Sequence, residues 1–304
     1  MKAVLKRSGV ICAGRIYCDL VFSGLPTMPS LGSEVFATSM TPVLGGGAFI
    51  AAAHLAANGR SVSLLSRFGI DPISLALEDQ FAEAGVSLDL VERVADAGPQ
   101  ITVVMAHAND RAFLSKRAGQ ALPAQYAQAM SRFPATHLHV AEYATLAEHP
   151  DLIVHAKRLG MTVSLDPSWD NSLIHNPELL SRCAGVDVFL PNLEEALAIT
   201  GQGHATAALE VLAGHFPVVA IKLGAEGAIL AAKSERLSAT APRVEVHDTT
   251  GAGDAFNAGF LDGWLDDRSA IFCLRSAIAA GSLSVQAIGG TSALSLVDPA
   301  RGSA

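Results

Sequence analysis

The sequence predicts an α/β fold in which a mostly parallel sheet lies between two layers of helices. Short apolar runs rich in β-branched residues recur along the chain, and stretches with helical periodicity separate them. Continuous apolar strands are typical of parallel sheets that helices cover on both faces. The chain has 304 residues and half of them are apolar, so it can bury a sizeable core. We therefore expect a three-layer α/β/α sandwich.

The expected elements follow from these two patterns, taken in chain order. The expected strands are Val10–Ala13, Val62–Ser66, Leu138–Val140, Thr162–Leu165, Val186–Leu190 and Val218–Lys222. The expected helices are Ala48–Asn58, Pro72–Ala84, Pro123–Ser131, Pro150–Leu159, Leu193–Thr200 and Asp254–Trp264. In a sheet of this kind, ligands bind beyond the carboxyl ends of the strands.

Two stretches without charged residues, Val35–Gly59 and Ser276–Val297, are long enough to raise the question of a membrane span. Each contains glycine pairs and several Ser or Thr residues, and the first also contains Pro42. Buried helices with glycine turns explain both stretches better. No repeat, low-complexity tract or long linker interrupts the chain, so we expect one domain over 1–304.

Charge and cysteine usage narrow the function classes. The net charge of −8 argues against nucleic acid or an anionic membrane as a partner. The four cysteines lack a metal-binding spacing, which favours reduced, buried thiols in a cytoplasmic protein. His137 and His139 alternate as on a strand, without a Cys or carboxylate to complete a zinc site, so we interpret them as structural.

The segment from Asp248 to Phe260, DTTGAGDAFNAGF, is the most informative part of the chain. Gly251 and Gly253 let the backbone turn sharply where an extended segment becomes a helix, and the N–H groups and dipole of that helix attract an anion. Asp254 lies in the first helical turn, facing that anion. The short run Gly-Ala-Gly-Asp is also typical of an ordinary helix start. An anion site with a carboxylate directed into it suits phosphoryl transfer.

The whole segment closely resembles the C-terminal signature of the ribokinase (PfkB) family of sugar and nucleoside kinases. Weaker similarities extend from Gly9 to about Ser292. The resemblance implies ATP and Mg²⁺ as cofactors, an anion hole formed by Gly251, Ala252 and Gly253, and Asp254 as the base that takes the hydroxyl proton. We expect this base to be weak, because a helix N-terminus stabilises the carboxylate.

A second glycine motif, Gly45-Gly46-Gly47, leads into a helix of small residues. By itself it is typical of close helix–sheet packing; the resemblance implies that its backbone lines the sugar site. The chain departs from the family here, because Ile50 stands where Asn usually touches substrate hydroxyls and Gly47 stands where Lys is common. An apolar side chain cannot satisfy a buried hydroxyl. We therefore expect a substrate whose hydroxyl pattern differs from that of ribose.

The residues Ala108-Asn-Asp-Arg111 predict a hairpin turn. The resemblance implies that the segments at about 19–38 and 100–116 form a small β-sheet lid. The substrate-binding residues that it implies are Asp19, Tyr17, Glu142 and, on the lid, Met105 and Phe113. Asp19 would bind two sugar hydroxyls, which suits a carboxylate. Tyr17 replaces the Asn of ribokinase. An exposed lid sheet could pair two chains, which predicts a homodimer.

On the nucleotide side, the resemblance implies Lys222, Gly224, Gly227, Asn192, Thr249 and Gly290 as binding residues. Asn192 and Glu195 also fit a helix capping box. Glu195 would organise Mg²⁺ through water, since Mg²⁺ keeps much of its hydration shell. Asp248 and Thr250 match positions that bind a monovalent cation, such as K⁺, in some members.

We expect an ATP-dependent kinase that phosphorylates a hydroxymethyl group of a small sugar. Phosphorylated sugars are disfavoured, because the loop Asp166-Pro-Ser-Trp169 lacks the arginine that many family sugar kinases place there. A nucleoside kinase, and a non-catalytic carbohydrate-binding regulatory protein, remain alternatives. A dehydrogenase is excluded by the lack of a dinucleotide fingerprint.

Overall fold

The computed structural model of the chain describes residues 8–107 and 110–297. Its strands are β1 Gly9–Ala13, β2 Tyr17–Ser23, β3 Ser39–Gly45, β4 Val62–Phe68, β5 Val91–Arg93, β6 Ile101–His107, β7 Asp110–Lys116, β8 Ala135–Val140, β9 Thr162–Leu165, β10 Val188–Phe189, β11 Val218–Lys222, β12 Ala228–Ala232 and β13 Glu235–Ala239. Its helices are α1 Gly47–Ala57, α2 Pro72–Ala76, α3 Asp79–Ala84, α4 Tyr126–Met130, α5 Tyr143–Glu148, α6 Leu152–Arg158, α7 Leu179–Arg182, α8 Leu193–Thr200, α9 Ala205–Ala213, α10 Ala252–Trp264, α11 Ala270–Ser284 and α12 Leu294–Val297. Short 3₁₀ turns lie at Ala95–Ala97 and Gly224–Glu226.

A nine-stranded sheet forms the centre of the molecule, in the order β13-β12-β11-β10-β9-β8-β1-β4-β5. The strands from β11 to β5 pair in parallel, and β12 and β13 add antiparallel to one edge. This is the expected α/β sandwich. The parallel strands end on the same side of the sheet, which places the loops that follow them together.

The alternation within β1 shows why helices cover both faces. Val10 and Cys12 belong to one hydrophobic cluster, with residues of α1, α10 and α11. Ile11 and Ala13 belong to the other, with residues of α5, α6 and α9. All four side chains are fully buried. Because successive side chains point to opposite faces, a continuous apolar strand requires apolar partners on both sides.

A second, four-stranded sheet has the order β3-β2-β6-β7 and covers one end of the first. Its second strand lies later than we expected. Residues 24–38, all of them described, form no strand, and β3 begins at Ser39. Pro26, Pro29 and the left-handed Gly24 and Gly32 interrupt a ladder in that segment. Residues 108 and 109 of the expected hairpin turn lie outside the described residues.

Some boundaries also differ within the main domain. The expected helix Pro72–Ala84 consists of two short helices that break near Leu77, which is buried and 3% exposed. The expected strand Val186–Leu190 pairs over Val188–Phe189 alone. The uncharged stretch Val35–Gly59 contains β3 and α1, and the stretch Ser276–Val297 contains the end of α11 and α12. In the described part of the chain, no helix is long and apolar enough to cross a membrane.

His137 and His139 lie buried in the central sheet and share the Ser164 hydroxyl, at 2.8 and 2.9 Å. Burial lowers the pKa of both imidazoles, so they are neutral. The four cysteines are buried and free. Within residues 8–107 and 110–297, no group of three or more His, Cys, Asp or Glu side chains is arranged to hold a metal ion.

Candidate active site

A cavity of about 1280 Å³ lies between the carboxyl ends of the parallel strands and the small sheet. Glu142, Asp166, Asn192 and Gly224 follow β8, β9, β10 and β11 respectively, and all four line it. This is the position at which ligands bind to open parallel sheets. The predicted residues that line the cavity are Tyr17, Asp19, Gly46, Gly47, Ile50, Phe113, Glu142, Asn192, Glu195, Lys222, Gly224, Gly227, Thr249, Thr250, Gly251, Ala252, Gly253 and Asp254.

The turn before α10 requires glycine. Gly251 has φ of 75° and caps the helix, which begins at Ala252. A Cβ at Gly251 would lie 2.6 Å from the Cα of Gly290 and 3.0 Å from Ile50. The turn therefore packs directly on the loop at Gly290, and the first N–H groups of α10 remain free of intrahelical partners. A helix start of this kind on the cavity wall can bind an anion, and we call the segment Gly251–Gly253 the anion site.

Asp254 lies in the first turn of α10 with its carboxylate against Gly47, where an added Cβ would come within 2.7 Å of Oδ1. Burial, followed by the charge of Asp166, raises the pKa of Asp254 to about 7. Our expectation of a weak base was wrong, because loss of solvent outweighs the helix dipole. A carboxyl group with this pKa is matched to proton transfer near neutral pH.

Asp166, Lys222 and Asn257 form a polar cluster beside the anion site. The Lys222 ammonium donates to Asp166 Oδ2 at 2.6 Å and to Asn257 Oδ1 at 3.3 Å. The Asn257 amide donates to the same Asp166 oxygen at 2.6 Å. Sequence reasoning missed Asn257, although its spacing of three from Asp254 places both on one face of α10.

Asn192 and Glu195 form the capping box of α8, with both reciprocal hydrogen bonds at 2.8 Å. Both side chains also line the cavity, so their capping role and a role at the site coexist. Burial and the nearby Asp166 charge raise the pKa of Glu195. Three carboxyl groups, those of Asp166, Glu195 and Asp254, lie near the single ammonium of Lys222. This excess of negative charge fits a hydrated divalent cation.

Asp19 lies on β2, at the end of the cavity formed by the small sheet, and is close enough to Asp254 for its charge to raise the pKa of that carboxyl group. Its carboxylate occupies the space of a side chain at Gly45, where a Cβ would come within 1.9 Å of Oδ2. Gly45 itself therefore lies behind Asp19 and not on the cavity wall. Burial, together with the charge of Asp248, raises the pKa of Asp19 to about 7, whereas a hydrogen bond from Thr102 lowers it.

Two arginines that the sequence analysis did not single out organise this end of the cavity. Arg15, 3% exposed, donates to Glu142 at 3.2 Å and to Glu148 at 2.5 Å. Arg117 pairs with Asp170, and its guanidinium lies near enough to the Tyr17 hydroxyl to influence the pKa of both groups. Burial and the Glu142 charge raise the pKa of Tyr17 to about 12, so its hydroxyl remains protonated.

The alternation of β7 is the signal that could have found Arg117. Arg111, Phe113, Ser115 and Arg117 are two residues apart and all line the cavity. The same alternation on β6 corrects the expectation for Met105. Thr102 lines the cavity and Met105, three residues later, does not, because an odd spacing puts it on the other face of the sheet.

Ile50 lines the cavity but is 2% exposed, and its side chain packs against the Gly251 turn and Gly290. Its position supports the anion site from behind. Gly290 does not line the cavity. Its carbonyl accepts a hydrogen bond from the Nε2–H of His54 at 2.9 Å. This bond connects α1 to the loop that holds the Gly251 turn.

Asp248 also lies behind the cavity wall. Its two carboxylate oxygens accept from the backbone N–H groups of Thr250 and Gly289, each at 2.8 Å. Asp248 thus joins the two loops that meet at the anion site. The buried Thr250 hydroxyl has no hydrogen-bond partner among the described residues.

A model of the pfkB family carbohydrate kinases matches residues 19–296. The chain belongs to this family. The matched range contains Asp19, both glycine motifs and Asp254.

Curated pfkB relatives match over shorter segments. An uncharacterized sugar kinase of Archaeoglobus fulgidus is 33% identical over 114 residues, which are 38% of this chain and 46% of that protein. The 2-dehydro-3-deoxygluconokinase of Bacillus subtilis is 33% identical over 174 residues, 51% of this chain and 52% of that protein. The chain thus matches about half the length of these relatives.

Solved structures agree over almost the whole fold. Arabidopsis thaliana ribokinase complexed with ribose and ATP has a TM-score of 0.75 and 23% identity, covering 97% of this chain and 99% of that chain. The Methanocaldococcus jannaschii nucleoside kinase, an archaeal member of the ribokinase family, has a TM-score of 0.75 and 18% identity, covering 94% of each chain. At this identity the likeness establishes the ribokinase-like fold.

Proposed function

We propose that the protein is an ATP-dependent kinase that phosphorylates a hydroxymethyl group of a small sugar. The observation that carries the proposal is that Asp254 lies between the anion site at Gly251 and the Gly47 backbone within one cavity. A hydroxyl beside Gly47 is therefore next to both a base and a phosphate site. The family match and the Arabidopsis ribokinase complex support the same reaction class.

Residues in different parts of the cavity have different roles in the proposed reaction. Asp19, Glu142 and the Gly46–Gly47 backbone hold the sugar, and Asp254 orients the hydroxyl and accepts its proton. The backbone of Gly251, Ala252 and Gly253 receives the transferring phosphoryl group. Lys222, Gly224, Gly227 and Thr249 line the nucleotide end of the cavity, whereas Gly290 supports it from behind.

Magnesium fits the carboxylate-rich region around Glu195, whose pKa is raised. When bound, Mg²⁺ neutralises charge on the ATP phosphates. Glu195 uses one oxygen, Oε2, in the capping box, and we assign its other oxygen to the metal's hydration shell. The unpartnered hydroxyl of Thr250 makes the loop at Asp248 a candidate K⁺ site, and Asp248 would then hold both the loops and the cation.

The charges at the sugar end favour an uncharged substrate. The Arg15 guanidinium is already paired with Glu142 and Glu148, and Arg117 with Asp170. The loop Asp166–Trp169 itself contains no arginine, and the charge of Arg117 is neutralised by Asp170, the residue that follows this loop. Arg111 also lines the cavity, with its guanidinium over the Phe113 ring. An anionic sugar would still meet the carboxylates of Asp19 and Glu142 while Arg15 and Arg117 already have carboxylate partners, which costs affinity.

The decisive assay measures ADP release from MgATP with matched neutral and anionic sugars, and with nucleosides. We expect turnover of a neutral sugar at least roughly tenfold faster than of its acid or phosphate. Preferred turnover of nucleosides would make the protein a nucleoside kinase. ATP and sugar binding without any turnover would favour the non-catalytic, carbohydrate-binding alternative.

We also propose that two copies pair through the small sheet. Its outer surface and the adjoining loop expose large apolar side chains: Leu31, Phe36, Met40 and Leu114. Exposed apolar surface of this kind is typical of an interaction site. Light scattering should give twice the mass of the chain, and Leu114→Glu should give a monomer. A monomeric wild-type protein at micromolar concentration would contradict the proposal.

A further inference from the structure

Lys222 occupies an unusual position for a strand-end lysine. It is the last residue of β11, and its side chain is 12% exposed. Its ammonium lies 3.4 Å from the position of a Cβ at Gly253, within the anion site. An ammonium has three donors. Asp166 and Asn257 take two of them, which leaves the third for a ligand beside Gly253.

The partners of Lys222 are themselves fixed. Asp166 Oδ1 accepts from the Ser168 N–H at 2.9 Å, and Asp166 Oδ2 accepts from both Lys222 and Asn257 at 2.6 Å. Asn257 is fully buried on α10. Its amide N–H donates to Asp166, and its amide oxygen accepts from Lys222. Asn257 therefore links the helix that carries Asp254 to the lysine.

The ammonium remains charged in this setting. Burial works against its positive charge, but Asp166 and Glu195 outweigh burial and raise the pKa of Lys222. A fixed positive charge at an anion site in a partly dry cavity is worth more than the same charge in water. The lysine also needs no reorganisation when the phosphate arrives, because its two other contacts already orient it.

We propose that Lys222 is a ligand of the ATP γ-phosphate and that Asn257 is the positioning residue that aims it. The proposal rests on the proposed kinase function. In the transfer, the bond from the γ-phosphorus to the β,γ-bridging oxygen breaks, and the electron pair stays on ADP. A new bond forms from the γ-phosphorus to the substrate oxygen, whose proton passes to Asp254. Lys222 keeps its protons and offsets the charge of the transferring group.

A ligand of the γ-phosphate distinguishes ATP from AMP, and this distinction is testable without knowing the sugar. Calorimetry measures the Kd of MgATP and of AMP for the wild type and for Lys222→Met, with circular dichroism to verify folding. We expect Lys222→Met to weaken MgATP at least tenfold and AMP less than twofold. Asn257→Leu leaves the Lys222–Asp166 pair in place, and we expect it to weaken MgATP three- to tenfold with AMP unchanged.

The double variant Asp166→Asn/Lys222→Met distinguishes a structural role of Lys222 from a role in MgATP binding. Removing Lys222 alone leaves Asp166 as an unpaired buried carboxylate, which destabilises the fold. The double variant removes both charges, so we expect its Tm to recover towards the wild type while MgATP binding stays at least tenfold weaker. MgATP binding that recovers together with Tm would show that Lys222 is structural.

The outcomes distinguish this inference from the proposed function. A wild-type protein that binds no MgATP overturns the kinase proposal and this inference with it. A wild type that binds MgATP, with unchanged affinity in Lys222→Met, overturns the lysine's role alone. Equal losses of MgATP and AMP affinity in Asn257→Leu would show a general structural effect and overturn the positioning role of Asn257.

Discussion

Asp254→Asn should lower kcat by roughly 10²- to 10⁴-fold, because the amide cannot accept the hydroxyl proton. The side chain keeps nearly the same shape, so the Kd values for MgATP and sugar should change little. The measurement is steady-state ADP release together with calorimetric binding. Equal turnover in the variant would exclude Asp254 as the base.

The same substitution should stabilise the fold at pH 8. The pKa of Asp254 is about 7 in the folded protein, above the ordinary value of an unfolded Asp, near 3.9. The folded state therefore binds the proton more tightly, and this contribution to stability is lost as pH rises from about 4 through about 7. Asparagine removes the cost of the charge. We expect a gain of about 1–3 kcal/mol in the free energy of unfolding, less than the full pKa shift implies, because Asp254 is half-buried and lines the cavity.

The pH dependence of the wild type gives an independent check. Asp254 and Asp19 both have pKa values raised to about 7, and both act as carboxylates in the proposed reaction. Protonation below that pH removes their function, so kcat/KM should rise with pH and level off above about 7. Two groups titrating together give a slope between one and two on a logarithmic plot. A profile flat from pH 5 to 8 would contradict these roles.

Gly251→Ala should lower kcat by roughly 10²- to 10³-fold, the usual effect of losing a donor at an oxyanion site. The added Cβ would lie 2.6 Å from the Cα of Gly290, so the turn has to move. Its N–H groups then no longer point at the transferring phosphoryl group. A side chain at the left-handed φ of 75° also costs about 1–2 kcal/mol of stability. Kinetics and thermal unfolding measure the two effects separately.

Gly201→Ala is the matched control for this prediction. Gly201 has φ of 67°, and no described atom lies within 4 Å of an added Cβ. It ends α8, and it does not line the cavity. Because of the backbone strain, the control should lose about 1–2 kcal/mol in the free energy of unfolding, and its kcat should be unchanged. If both variants lose turnover equally, the loss comes from instability and not from the anion site.

The sequence predicted the α/β class and the main parallel strands well, because both depend on short-range pattern. Thr162–Leu165 and Val218–Lys222 form the expected strands with unchanged bounds. An apolar run must be buried on both faces whichever strand it joins. The prediction was wrong where local signals competed, as in the proline-containing segment 24–38, which delays β3.

The sequence also indicated most of the cavity-lining residues, because the glycine turn before α10 and the residues at strand ends have recognisable local patterns. It misplaced Met105, whose face depends on the register of β6. The substrate role of Ile50 stays a prediction: its side chain lines the cavity and also packs against Gly251 and Gly290, a contact that the sequence did not indicate. Such contacts depend on how distant segments meet.

The resemblance within Asp248–Phe260 was thus enough to predict the family, since the turn, the helix start and the carboxylate are adjacent in the chain. The tertiary structure decided the strength of the base and the direction of the lysine. Lys222 and Asn257 reach Asp166 from 56 and 91 residues away. Burial raises the pKa of Asp254 against its helix dipole. Desolvation and long-range hydrogen bonds are properties of packing, which no local pattern specifies.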